Sequence, residues 1–139
     1  MLRWSTNEKQ EGILIGYVTL GSNDIPKAAK FYDELLALIG AGRFYEGENF
    51  IAWATDPGAP GLSVITPYDG NVATVGNGTM VALVVDSPEK VNAVHAKALE
   101  LGGANEGDAG PRQDGFYAGY FRDLDGNKLN VFCMEQAAE

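Results

Sequence analysis

Four side chains that could contact a small molecule are predicted to lie on sheet faces that point away from the helices. They are Tyr17, Ser63, Met80 and Asn130. Successive side chains of a strand point to opposite faces, and the neighbours of these four are apolar residues of the kind that a helix covers. Two hydroxyls, an amide and a thioether can form hydrogen bonds and adapt to apolar surface, so this mixed lining predicts a small-ligand site.

Two aromatic residues are predicted to flank the same cavity. Trp53 and Tyr120 lie 67 residues apart in matching stretches of sequence, and their rings could form its walls, although core packing would also explain them. Tyr17 is the one candidate for proton transfer. A phenol with an ordinary pKa of about 10 needs help from its surroundings to act near neutral pH.

The remaining reactive groups favour structural roles. Cys133 has no histidine near it in the sequence and falls at a helix-facing position, which predicts a buried structural thiol. His95, the one histidine, is expected to be a partly exposed residue on the flank of a helix. The run Gly76-Asn77-Gly78 is typical of a turn, and Glu46 and Glu48 of a solvated surface.

An internal repeat predicts how these residues are brought together. Residues 16–20 read Gly-Tyr-Val-Thr-Leu, and residues 79–83, 63 places later, read Thr-Met-Val-Ala-Leu. Further on the spacing becomes 67, with Trp-Ala-Thr-Asp at 53–56 and Tyr-Phe-Arg-Asp at 120–123. The extra residues are expected in a Gly-rich loop of the second copy. A period this long indicates a duplicated domain rather than a solenoid, with equivalent positions facing each other.

Each copy predicts the order β-α-β-β-β and hence an α+β fold. The first module spans residues 13–66 and the second residues 79–134, joined by a connector at 67–78. Residues 1–12 form a polar N-terminal extension, and residues 135–139 a C-terminal tail. We expect one structural domain in which two curved sheets form an incompletely closed, cupped barrel with the helices outside.

Helix signals occur at the same place in both modules. Asp24 and Ser87 are N-cap residues, each followed by a proline, Pro26 or Pro88, within the first turn. Apolar residues then recur at helical spacing until glycines end each helix.

Composition excludes several classes of function. The formal net charge of −9 argues against binding to nucleic-acid phosphates or anionic lipid, and would favour a cationic ligand. The sequence has no apolar run long enough to span a membrane. A single cysteine excludes an internal disulfide and is compatible with the cytoplasm.

Several stretches resemble the vicinal oxygen chelate superfamily, which includes glyoxalase I, bleomycin-resistance proteins and extradiol dioxygenases. The matching stretches are residues 17–24 (Tyr-Val-Thr-Leu-Gly-Ser-Asn-Asp), 30–36 (Lys-Phe-Tyr-Asp-Glu-Leu-Leu), 76–79 (Gly-Asn-Gly-Thr) and 122–129 (Arg-Asp-Leu-Asp-Gly-Asn-Lys-Leu). These stretches extend over nearly the whole chain. The stretch at 122–129 is the most specific signal of the superfamily. The resemblance implies the same duplicated fold.

The resemblance also shows where the metal ligands of metal-using members would fall. Those members place His or Glu at positions that correspond here to Tyr17, Ser63, Met80 and Asn130. Hydroxyl, thioether and amide groups are a poor ligand set for a divalent ion. We therefore expect no metal and no other cofactor.

Two functions remain open at this point. The first, by resemblance to bleomycin-resistance proteins, is the binding of a small organic molecule in a metal-free cavity between the modules. The alternative is a lyase, isomerase or dioxygenase-type enzyme, either metal-dependent or with a protein acid/base. The resemblance further implies a homodimer, and pairing would protect the open sheet edges.

Overall fold

The structure, a computed structural model, describes residues 12–135 and contains two β-α-β-β-β modules. Its elements, in chain order, are β1 (Tyr17–Gly21), α1 (Ile25–Ala37), β2 (Gly42–Glu46), β3 (Phe50–Ala54), β4 (Gly61–Ile65), β5 (Val81–Val84), α2 (Pro88–Glu100), β6 (Ala104–Pro111), β7 (Phe116–Arg122) and β8 (Lys128–Met134). The α+β class and the duplicated β-α-β-β-β order are confirmed. The predicted N-terminal extension and C-terminal tail lie outside the described residues except for Gly12 and Glu135. No helix in the described range is long and apolar enough to cross a membrane.

Each module folds into its own four-stranded sheet. The strand orders are β1-β4-β3-β2 and β5-β8-β7-β6. The first strand of each module lies parallel to the last, because the helix carries the chain back across the sheet, and the other pairs are antiparallel. No strand pairing joins the two sheets within residues 12–135, so the barrel is not closed.

Both helices begin as the sequence predicts. The Asp24 carboxylate accepts from the Lys27 backbone N–H at 3.2 Å, and the Ser87 hydroxyl accepts from the Lys90 N–H at 3.2 Å. A proline lies in the first turn of each helix, where a missing N–H leaves no hydrogen bond unmade. Local signals are therefore sufficient to start both helices.

Strand β6 completes the second module. The repeated order predicts a strand after α2, although the sequence also predicts a Gly-rich loop in the second copy, and the structure has the strand at Ala104–Pro111. Its pairing with β7 shifts register between Asn105 and Gly107 and again between Gly107 and Gly110. Glycine, proline and acidic residues are depleted in strands, so its composition predicts a loop. Pairing with β7 supplies the strand conformation despite that composition.

A buried carboxylate, Asp123, joins the two modules. The Tyr32 hydroxyl of α1 donates to Asp123 Oδ2 at 2.6 Å, and the Asn127 side-chain amide donates to the same oxygen at 3.0 Å. Asp123 Oδ1 accepts from the backbone N–H groups of Asp125 and Asn127, both at 2.9 Å. Four donors therefore satisfy a carboxylate that is only 6% exposed.

The same β7–β8 turn contacts the first module at two further points. The Asn127 amide donates to the Gly21 carbonyl at 2.9 Å, and the Asn23 backbone N–H donates to Asp125 Oδ1 at 2.9 Å. A single cluster of buried apolar residues also includes members of both modules. The Asp-x-Asp-Gly-Asn sequence therefore fixes one module to the other.

The Tyr32–Asp123 contact predicts a loss of stability at alkaline pH. Burial, and then the Asp123 charge, raise the pKa of Tyr32 well above its usual value. Above pH ~10 the unfolded state releases this proton while the folded state retains it, so stability falls as pH rises, by about 1.4 kcal/mol per pH unit. Urea unfolding between pH 8 and pH 11 should show this slope in the wild type and not in Tyr32→Phe.

Tyr68→Phe is the matched control, because the Tyr68 ring is fully exposed. It should keep the wild-type slope. At pH 8, Tyr32→Phe should be less stable by about 1 kcal/mol because one hydrogen bond to Asp123 is lost. An unchanged slope in Tyr32→Phe would show that Tyr32 does not carry the effect.

Candidate functional site

The side of each sheet turned away from its own helix is termed here its open face. On the first sheet the open face carries Tyr17, 61% exposed, whose ring packs edge-on against Phe50 with centroids 6.1 Å apart. Tyr45 packs edge-on against Phe50 from the other side at 5.4 Å. Tyr17 is therefore part of an exposed aromatic group rather than of the core beneath α1.

A β-bulge enlarges this aromatic group. The pairing of β2 with β3 shifts between Arg43 and Tyr45, so Phe44 is an extra residue in β2. A Cβ on Gly61 would lie 3.0 Å from the Phe44 ring, which places this ring over Gly61 on the open face. Neither Phe44 nor Phe50 was predicted from the sequence, because period-two alternation cannot locate a bulge.

Ser63 lies on the same face but is already engaged. Its hydroxyl is fully buried and donates to the Val18 carbonyl at 2.6 Å, across the parallel β1–β4 pair. It therefore has no hydrogen left to donate to a ligand, although its oxygen has lone pairs that can still accept a hydrogen bond.

The open face of the second sheet carries Tyr120 and Asn130, which are direct partners across β7 and β8. The rings of Phe116 and Phe132 lie on the same face with centroids 5.2 Å apart. Val84 of the neighbouring strand β5 is 66% exposed. Two of the predicted residues are therefore adjacent here, beside an exposed apolar surface.

Asn130 has an unmade hydrogen bond. The residue is only 2% exposed, and its Oδ1 is buried without a partner among the described residues. A buried acceptor without a donor costs about 1–3 kcal/mol, so native proteins rarely retain one without a reason. A ligand group that donates to Oδ1 would relieve this cost.

Trp53 is not on an open face. It is 1% exposed, lies beneath α1 and donates its indole N–H to Asp33 at 2.8 Å. Trp53 pairs with Leu62, whereas Tyr120 pairs with Asn130. The β3–β4 connection is one residue longer than the β7–β8 connection, so a constant spacing of 67 pairs the wrong residues. The counterpart of Tyr120 is Ala52.

Met80 precedes β5 and borders an apolar cleft between the modules. The cleft has a volume of about 590 Å³, and Trp53 also lines it, together with Val18, Leu36 and Leu83. The six predicted residues therefore occupy three places, namely the two open faces and this cleft. Within residues 12–135, no strand pairing or ring contact joins the two open faces.

The structure also places the two other reactive groups. His95 is buried, not partly exposed, because its Nε2 lies 3.1 Å from the Tyr120 carbonyl and 3.2 Å from Asn105 Oδ1. It occupies the α2 position that matches Tyr32 in α1, and both side chains fix their helix to a neighbouring segment. Cys133 is buried as predicted, and burial raises the pKa of its thiol.

The positions where the sequence resemblance places metal ligands do not fit a metal ion. Asn130 offers a neutral amide, the Ser63 hydroxyl is bonded to backbone, and Met80 lies apart at the cleft. Nowhere in residues 12–135 do three or more His, Cys, Asp or Glu side chains form a group that could hold an ion. Such a donor set cannot compensate a divalent ion for its lost hydration.

Comparisons with known proteins agree with the duplicated fold. The Glyoxalase/Bleomycin resistance protein/Dioxygenase superfamily profile matches residues 14–131. A glyoxalase/bleomycin resistance protein from Albidiferax ferrireducens T118 is 32% identical, with a TM-score of 0.80 over 87% of this chain and 98% of the other. No curated protein matches the chain.

More distant structures share the fold alone. A glyoxalase/bleomycin resistance protein/dioxygenase family enzyme from Burkholderia phytofirmans PsJN is 15% identical, with a TM-score of 0.70 over 86% of this chain and 98% of the other. Lactoylglutathione lyase from Agrobacterium tumefaciens is 17% identical, with a TM-score of 0.65 over 87% and 93%.

Two β-α-β-β-β modules of the same strand order, each with an uncovered sheet face, define the class of this protein. Within that class, the chain belongs to the Glyoxalase/Bleomycin resistance protein/Dioxygenase superfamily.

Proposed function

We propose that this protein binds a small organic molecule without a metal. The molecule lies between two open faces, one from the first module and one from the second. The observation that carries the proposal is the buried, unpartnered Oδ1 of Asn130 on an open face. Its unmade hydrogen bond is a cost to the free protein that a bound donor would remove. The aromatic side chains around it provide the apolar contact typical of small-ligand sites.

We further propose that the two faces of one site come from two copies of the chain. Large apolar side chains on both faces are exposed in the single chain: Tyr17, Phe44, Tyr45, Val84 and Met134. Strands β1 and β5 are also unpaired along one edge. A second copy would cover both features at once, because its second module could pack against the first module of its partner. The cytoplasm remains the proposed location.

A ligand screen is the first test. Bleomycin, S-hexylglutathione and 3-phenyllactate represent a cationic antibiotic, a thiol conjugate and an aromatic hydroxy acid. A compound that binds the folded state raises the melting temperature. At least one of the three should do so in the wild type and lose its effect in Asn130→Leu. An equal effect in both proteins would place the site elsewhere.

Mixed dimers then test the shared site. Chains carrying Tyr17→Ala and chains carrying Asn130→Leu are co-expressed with different affinity tags, and the mixed species is purified. If each site uses Tyr17 of one chain and Asn130 of the other, the mixed dimer has one intact site and one doubly altered site. It should bind half the wild-type amount of ligand at wild-type affinity.

Each homodimer of a single variant is the control and should bind weakly at every site. A mixed dimer without any wild-type-affinity site would show that both residues act within one chain. Light scattering at the 14.8 kDa mass of a single chain, at tens of micromolar, would contradict the shared site directly.

A further inference from the structure

The open face of the second sheet is sorted by chemistry along its strands. Across β7 and β8 the residue pairs on this face are Arg122 with Lys128, Tyr120 with Asn130, Ala118 with Phe132, and Phe116 with Met134. Side chains two residues apart on a strand are about 7 Å apart. Within two such steps the surface changes from cationic, through polar, to apolar and aromatic.

The cationic end combines three basic side chains, Arg112, Arg122 and Lys128, with one ion pair in the described part of the chain. Arg122 and Lys128 are like charges directly opposite each other, an arrangement that destabilises a sheet. Glu106 forms an ion pair with Arg122. The hydrogen bond from Arg122, and then the Arg122 and Lys128 charges, lower the pKa of Glu106. Among the described residues, neither Lys128 nor Arg112 has an ion-pair partner. One of the three cations thus has an ion-pair partner there, in a protein of net charge −9.

Arg112 is held in place by neutral groups. Its Nη1 donates to the Gly110 carbonyl at 2.9 Å and its Nη2 to the Asp108 carbonyl at 2.8 Å. Its guanidinium carbon lies 5.6 Å from the centre of the Tyr120 ring, and the Lys128 ammonium lies at the same distance. Backbone carbonyls orient this guanidinium without cancelling its charge.

The Gly-rich sequence of β6 makes room for this arrangement. A Cβ on Gly107 would lie 3.2 Å from the Tyr120 ring and 3.6 Å from an Arg112 nitrogen. A larger residue there would push both groups away. Strand β6, whose own composition predicts a loop, therefore supports the cationic end of the face.

We infer that this face holds the carboxylate of an amphipathic ligand between Arg112 and Lys128, beside Tyr120. The ligand also has a hydroxyl or amino group next to its carboxylate, which donates to Asn130 Oδ1, and an apolar group that packs on Phe116 and Phe132. This inference rests on the proposed function and names its ligand class. A single negative charge fits better than a phosphate dianion, because Glu106 is already among the cations.

The inferred ligand carries a negative charge, whereas the net charge of the protein favours a cationic ligand. Overall charge acts over long range and is screened by salt, whereas the groups lining a site act at contact distance. The local cations therefore decide the sign of the bound group.

Three related probes separate the parts of this inference. 3-Phenyllactate has the carboxylate, the hydroxyl and the ring, its methyl ester lacks the charge, and 3-phenylpropionate lacks the hydroxyl. Calorimetry on the wild type should show the acid binding about tenfold or more tightly than the ester. In Asn130→Leu, the advantage of phenyllactate over phenylpropionate should disappear.

Charge variants locate the carboxylate. The preference for acid over ester should be lost in Lys128→Met and in Arg112→Met. It should be kept in Lys30→Met, which makes the same charge change at an exposed position of α1. Glu106→Gln removes the competing carboxylate and should strengthen binding of the acid. Misfolding would weaken binding, so it cannot explain the tighter binding expected of Glu106→Gln.

Equal affinity of the wild type for acid and ester would overturn the carboxylate subsite, as would failure of the acid to bind at millimolar concentration. A preference for the acid that persists in both Lys128→Met and Arg112→Met would do the same. If acid and ester bind equally and Asn130→Leu still weakens both, the proposed function stands and only the ligand class is wrong.

Discussion

Replacing Asp123 by alanine is expected to lower the free energy of unfolding by about 4 kcal/mol, because four neutral donors lose one shared acceptor and each unpaired buried donor costs about 1–3 kcal/mol. The substitution leaves the Tyr32 hydroxyl, the Asn127 amide and two backbone N–H groups without their acceptor. Each unpaired buried donor is destabilising, although the four losses do not simply add. Urea unfolding at pH 7 measures the change.

Two further variants show whether the loss comes from this network. Asp69→Ala removes an exposed carboxylate that accepts from the Asn71 backbone N–H, and it should cost less than about 1 kcal/mol. Asp123→Asn keeps one acceptor oxygen and should fall between the two. A loss in Asp123→Ala no greater than that in Asp69→Ala would contradict the role of Asp123 in joining the modules.

Asn130→Leu is expected to stabilise the free protein and to abolish most of its ligand binding. Leucine has nearly the shape of asparagine, so it removes the unpartnered Oδ1 without opening a cavity, for a gain of about 1–2 kcal/mol. The same change removes the acceptor that a ligand needs, and affinity should fall by about tenfold or more. Thermal unfolding and calorimetry on the same preparation measure both effects.

Asn127→Leu is the matched comparison, because Asn127 is also a buried asparagine but donates to Asp123 and Gly21. It should destabilise the protein by about 2 kcal/mol. A stability gain in one asparagine variant and a loss in the other would mark Asn130 as a binding residue. Equal losses in both would show that Asn130 has a structural role and would remove the main support for the site.

The positions of individual predicted site residues were partly accessible from the sequence. Alternation placed Tyr17 and Asn130 on open faces, because neighbouring side chains of a strand must point to opposite sides. It could not place Trp53. The β3–β4 connection has one extra residue, so residues that are 67 positions apart in β3 and β7 do not occupy equivalent places. A shift of one residue moves a strand side chain to the other face.

By itself the sequence determined the module order and the helix starts, because capping residues and apolar periodicity act over a few neighbouring residues. Only the tertiary structure decided the bounds and the pairing of β6, since its glycines lack strand propensity and pairing with β7 supplies the conformation. Only the tertiary structure showed that Arg112 lies over Tyr120, that Asp123 meets Tyr32 and that Asn130 Oδ1 has no partner. These contacts depend on where distant segments meet, and no local pattern encodes that.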